Sequence, residues 1–240
     1  MTVASVAPAV QAAGRDLRRK LIDLALADPR SPLADLSSEG VMIEDGVMYA
    51  HGDSTRREAL AAIIARHRDV LEAQAQAQAQ AKPDADEEHF ATRSFGAVFP
   101  EVRIDEALGV IHVPRLVASY SVRRVLNAKT ALSQLQGGIV WGVSQALFEE
   151  SELDPRYGRF VNGNPADYHV PVNADIGHID VSFIDEIDDR FNPVGARGIG
   201  EIGITGVAGV LSNAVYHATG NRVRKLPITL DKVLALPPDV

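Results

Sequence analysis

The sequence predicts an α+β fold, with helices packed on short mixed or antiparallel sheets, and three observations carry that expectation. Apolar residues near the N-terminus recur at helical spacing, two pairs of β-rich runs are joined by turn-forming residues, and a long apolar stretch after the second pair has helical period. With 240 residues, 46% of them hydrophobic, the chain is long enough for one large or two small domains with a real core.

From Pro8 to about Ala27, Val10, Leu17, Leu21 and Leu24 mark a helix, with Pro8 suited to its first turn and Asp28-Pro29 to its exit. Val41-Met42-Ile43 and Val47-Met48-Tyr49 flank Glu44-Asp45-Gly46, and Asp-Gly between short apolar runs predicts a hairpin. Asp53 or Ser54 is placed to cap a second helix carrying Leu60, Ile63, Ile64, Val70 and Leu71. That helix gives way to the Ala-Gln alternation of 73–81 and the charged run 82–88, a linker or solvated helix extension. The expected division is therefore a helix-hairpin-helix segment over 1–72, a low-complexity Ala/Gln linker over 73–90, and a C-terminal segment over 91–240.

Beyond the linker, Phe95 to Ile104 and Val110 to Ala118 read as strands of an antiparallel meander turned by 105–109. Ala128 to Glu149 reads as a helix in which Gly138 and Gly142 lie one turn apart, so another backbone or a ligand can approach that face. An irregular, tyrosine-bearing loop follows, then a strand from His178 to Ile184, a glycine-rich run, and a helix from about Ile204 to Thr219 with Gly220 as its C-cap.

A net charge of -8 and a pI near 5.4 argue against nucleic acid or an anionic membrane as the main partner. Cysteine is absent, which removes disulfides, thiolate metal sites and a cysteine nucleophile. Neither a secretory signal nor an apolar run approaching the ~20 residues of a membrane span is present, so the expected location is the cytoplasm, or the periplasm by co-export with a partner. The seven histidines are scattered with no His-x-x-x-His pair, which argues against a metal ligated by protein side chains. No Gly-x-Ser-x-Gly elbow or phosphate-binding Gly-x-x-x-x-Gly-Lys loop occurs.

The most informative stretch is Gly195 to Gly209, where Glu201 sits alone among glycines just before an apolar helix. Glycines let a backbone come close to a ligand, and free amides at a helix start attract anions, so a bulky anionic cofactor can pass beside a single acid or base. The plainer alternative is a glycine-rich turn with Glu201 as an ordinary first-turn acid. Gly198, Gly200 and Gly203 also fit Gly-x-Gly-x-x-Gly, which keeps a nicotinamide dinucleotide-binding module as an alternative. That fingerprint needs a strand directly before it, and the polar, proline-broken residues 188–193 stand there instead.

Three separated stretches, 126–142 (Leu126-Asn127 through Gln134-Leu135-Gln136-Gly137-Gly138 to Trp141-Gly142), 168–175 (Tyr168-His169-Val170-Pro171 to Asp175) and the Glu201 run, resemble the C-terminal part of the molybdenum-binding large subunit of the xanthine dehydrogenase and aldehyde oxidase family. Bacterial three-subunit aldehyde oxidoreductases are the nearest in kind. The resemblance implies a piece of that large-subunit fold, with 1–72 and 91–240 both in the molybdopterin-binding region. It also implies a molybdenum-molybdopterin cofactor in its cytosine dinucleotide form, whose metal is held by the pterin dithiolene. The implied reaction oxidises an aldehyde or heterocycle with water as the oxygen source. Glu201 corresponds to the family's glutamate base, Gln134 to a glutamine contacting the pterin, and Gly198, Ile199 and Gly200 to backbone lining the cofactor side. Thr2, Ala4 and Ser5 match the end of a hydroxyl-rich cofactor-binding loop. A base in such a place is expected unpaired and partly desolvated.

The implied partners are the N-terminal part of the large subunit, iron-sulfur and FAD subunits, and a small-molecule aldehyde or heterocycle, with no nucleic acid and no membrane. The family's large subunit is much longer, so the chain is expected to be inactive alone; a non-catalytic remnant or assembly partner is the remaining alternative. One departure is local. Arg123-Arg124 stands where the family usually has glycine-arginine, so a tight turn is expected to be altered.

Overall fold

The computed structural model describes residues 2–67, 93–184, 186 and 191–234, without the side chains of Thr2 and Ser5. Val70, Leu71, the whole of the Ala/Gln linker and residues 235–240 lie outside the described residues. The chain divides into two units, one within residues 2–85 and one within 86–240.

The first unit opens with helix α1 (Thr2–Ala27), which runs through Pro8 rather than starting there. Ile22 and Ala25 at its end pack into a core with Leu33, Met48 and Ile63. Strands β1 (Val41–Glu44), β2 (Val47–Ala50) and β3 (Asp53–Ala59) form an antiparallel sheet in that order. The expected turn is there: Asp45 and Gly46 both have positive φ, 47° and 76°, as a tight hairpin loop requires. The expected helix cap is not. Asp53 starts β3, its carboxylate accepting from the Thr55 amide at 3.0 Å, and helix α2 (Leu60–Arg66) begins only after Ala59. Pairing of Met48 with Glu58 and Tyr49 with Arg57 outcompetes the local capping signal, so the hairpin becomes a three-stranded meander.

A charged knot closes this unit. The buried Asp28 accepts from the Arg30 amide and Nε, both at 3.0 Å, and from Arg66 Nε at 2.6 Å. Arg66 also pairs with Glu58, which accepts from Ser31 Oγ at 2.9 Å, so both carboxylates are satisfied.

In the second unit, β4 (Phe95–Ile104) and β5 (Ile111–Ser121) pair antiparallel as expected. β8 (His178–Phe183) adds parallel to β5, after helix α3 (Ala128–Leu147) and the short hairpin strands β6 (Leu153–Asp154) and β7 (Arg159–Phe160). A parallel neighbour requires such a crossover, and the resulting sheet is mixed. Asn127 caps α3, its side chain accepting from the Thr130 amide. Helix α4 (Val207–Thr219) ends at Gly220 (φ 73°), whose amide donates to the Tyr216 carbonyl at 2.8 Å, before the short α5 (Leu230–Val233). Leu135, Ile139 and Val143 of α3, Val207 and Leu211 of α4, and Leu116 and Tyr120 of β5 share the main core. No described helix is long and apolar enough to cross a membrane.

Candidate functional site

The segment bearing Glu201 is held from three sides before it reaches α4. Upstream, buried Asn192 builds the turn: its Oδ1 accepts from the Val194 and Gly195 amides at 3.0 and 2.9 Å, and its Nδ2 donates to the Ala196 carbonyl at 2.8 Å. The end of β5 continues into this turn through Arg124 N–H to the Gly195 carbonyl (3.0 Å) and Arg197 N–H to the Val122 carbonyl (3.3 Å). Arg197 itself is buried, donating through Nη1 to the Arg93 carbonyl and lying 5.9 Å over the Phe191 ring. Asn192 and Arg197 were not expected as site-building residues. Asn-Pro is a turn signal that could have found the first, but nothing local marks the second.

On the far side of Glu201, α3 meets the run almost backbone to backbone. A Cβ on Gly138 would come within 2.8 Å of the Gly203 Cα, and one on Gly142 within 2.5 Å of the Val207 Cβ. Both glycines therefore serve close packing against the segment and the start of α4. Gln134, one turn before Gly138, donates from Nε2 to the Gly200 carbonyl at 2.7 Å. Gln134 and Glu201, apart in sequence, thus belong to one exposed shelf with Gly137 and Gly200, where added Cβ atoms would meet nothing within 4 Å.

The Glu201 carboxylate has no hydrogen-bond or ion-pair partner among the described residues, as a base requires, but it is exposed rather than partly desolvated. The amides of residues 198–202 likewise donate to no acceptor among the described residues, while Ile204 N–H and Thr205 Oγ1 turn back to the Glu201 carbonyl at 3.3 and 3.2 Å. Five donors in sequence beside a carboxylate suit a ligand rich in acceptor atoms. Thr2, Ala4 and Ser5 are not in a loop: the backbone there is already helical, because α1 continues back through Pro8. They lie in the first unit, whereas the shelf is built within the second.

The dinucleotide fingerprint lacks its context. β8 ends at Phe183, well before Gly198, and α4 begins at Val207, beyond Gly203. No group of three or more His, Cys, Asp or Glu side chains that could hold a metal ion occurs among the described residues. The donor set consists of amides and one carboxylate, which fits a cofactor that carries its own metal ligands.

The second unit thus sets helices on a mixed sheet, with this glycine-lined shelf at the junction of α3 and the segment before α4. The molybdopterin cofactor-binding domain family matches residues 1–177, and the chain belongs to that family, as its likeness to the large subunits of the xanthine dehydrogenase and aldehyde oxidase family implies. Gln134 lies inside the matched span and Glu201 beyond it. Over 147 residues the chain is 47% identical to the aldehyde oxidoreductase molybdenum-binding subunit PaoC of Escherichia coli K12, covering 61% of this chain and 20% of that protein. It is 33% identical over 136 residues to a putative xanthine dehydrogenase molybdenum-binding subunit of the same organism, covering 57% and 18%. The chain thus spans about a fifth of the length of these relatives. The fold is shared with a solved Cu,Mo-CO dehydrogenase, at a TM-score of 0.78 and 18% identity over 98% of this chain and 29% of that one.

Proposed function

We propose that this chain supplies the catalytic base and part of the cofactor cradle of a molybdenum hydroxylase that oxidises aldehydes, or heterocycles, with water as the oxygen source. The observation that carries this reading is the pairing of an unpartnered carboxylate, Glu201, with the open row of amides from Gly198 to Ile202. The molybdenum centre, when bound, supplies the redox chemistry. The amides of Gly198, Ile199 and Gly200 donate to the cofactor's acceptor atoms, and Gln134, with its Oε1 open among the described residues, accepts from a pterin N–H. Glu201 takes the proton from the attacking water-derived oxygen, a role that enclosure by further protein or substrate makes effective by excluding water.

The 47% identity to a subunit named for aldehyde oxidoreduction favours an aldehyde substrate, and that protein's being a subunit favours assembly with iron-sulfur and FAD subunits. The cofactor's cytosine dinucleotide form belongs to the same proposal.

The test grafts this segment into a complete homologous subunit. Glu201→Gln is expected to cut turnover by a factor of hundreds or more, within the ~10²–10⁴ of a general base, while molybdenum content holds. Full activity in a metal-replete Gln variant would overturn the assignment.

A further inference from the structure

The Gly200 carbonyl and the Glu201 N–H belong to one planar peptide unit, in which a trans bond points them in opposite directions. Fixing the carbonyl therefore aims the amide. Gln134 does the fixing, with its Nε2 2.7 Å from the Gly200 oxygen. Among the described residues, no other donor reaches that oxygen. Gly200 is exposed, no atom lies within 4 Å of where its Cβ would be, and glycine leaves its peptide free to rotate. Beyond Glu201 the chain is pinned again, where Gly203 lies against Gly138 one turn further along α3.

We propose that Gln134 is a positioning residue: it locks the Gly200–Glu201 peptide in one orientation and so sets the direction of the Glu201 amide and side chain. This rests on the reading of Glu201 as the base, and it adds a second role to Gln134 beside any contact with the cofactor. One end of the amide holds the protein. The other has no partner among the described residues.

Amide hydrogen exchange by NMR on the purified chain tests this without turnover. Ile204 and Thr205 report on the turn, since their N–H groups donate to the Glu201 and Ile202 carbonyls at 3.3 and 3.2 Å; Ile228, which donates to Ala146 at 2.7 Å, is the remote control. Gln134→Leu removes the donor and Gln134→Glu replaces it with a repelling carboxylate. Both are expected to speed exchange at Ile204 and Thr205 about three- to ten-fold, the worth of one net hydrogen bond, with Ile228 unchanged. Gln134→Lys restores a donor of similar reach and is expected to return wild-type rates. Wild-type exchange in the Leu variant, acceleration that includes Ile228, or a Lys variant as fast as Leu would each overturn the proposal. Such a failure leaves the base assignment standing, because that depends on the turnover of Glu201→Gln.

Discussion

Arg123 holds a left-handed backbone, φ 63°, at the place where β5 hands over to the Asn192 turn and bridges to Ala196. A side chain there costs about 1–2 kcal/mol, which is why a glycine suits the position. The arginine offsets part of this by pairing with Glu186, which also accepts from Ser121 Oγ at 2.7 Å. A half-exposed pair contributes only about 0–1 kcal/mol. Arg123→Gly is therefore expected to stay within about 1 kcal/mol of the parent in denaturant melts, and Arg123→Val, branched where φ is positive, to fall clearly below both. Equal stability of the Gly and Val variants would remove the strain argument. In the first unit, Asp28 lies well below the usual carboxylate range, held there first by the Arg30 side chain and amide and then by Arg66; Glu58 is lowered chiefly by Arg66. Such groups stabilise the fold above the unfolded carboxylate range, about pH 4, and that stability drains away as pH falls toward their folded values. Asp28→Asn is expected to lower the melting temperature at pH 7 and to flatten its decline below pH ~4. An unchanged acid profile would show that the knot adds nothing.

Helix α3 links packing to function at the element scale, because one face carries the core and the adjoining face carries the shelf. Gly137 and Gly138 are neighbours with opposite surroundings: a Cβ at 137 meets open space, and one at 138 meets the Gly203 backbone at 2.8 Å. Backbone gives way less easily than a side chain. Gly138→Val is expected to lose about 1–3 kcal/mol from overpacking, with the 198–203 segment displaced, whereas Gly137→Ala is expected to gain up to about 1 kcal/mol of helix propensity. Calorimetry on the two variants checks the sign of each, and matching melting temperatures would end the close-approach account.

For the whole molecule, the decisive property is that Gln134, Gly137, Gly200 and Glu201 are all exposed. A tightly held small ligand normally has most of its surface buried, so the chain alone is expected to purify with near-zero molybdenum and to show no aldehyde-dependent dye reduction. Stoichiometric metal with turnover would mean that the site is self-sufficient. What the sequence by itself determined is what neighbouring residues decide among themselves: the Asp45-Gly46 turn, the Gly220 stop, the helical periods, and the glycine face of α3 that demanded a close neighbour. Family membership was legible too, because its motifs are contiguous. Only the tertiary structure decided that Asp53 begins a strand rather than a helix, that β8 lies parallel beside β5, that Asp28 and Glu58 share Arg66, and that Gln134 reaches the Gly200 carbonyl. Each of these depends on segments that meet after the chain has crossed back on itself, where pairing and burial outweigh the small local preferences that a sequence pattern records.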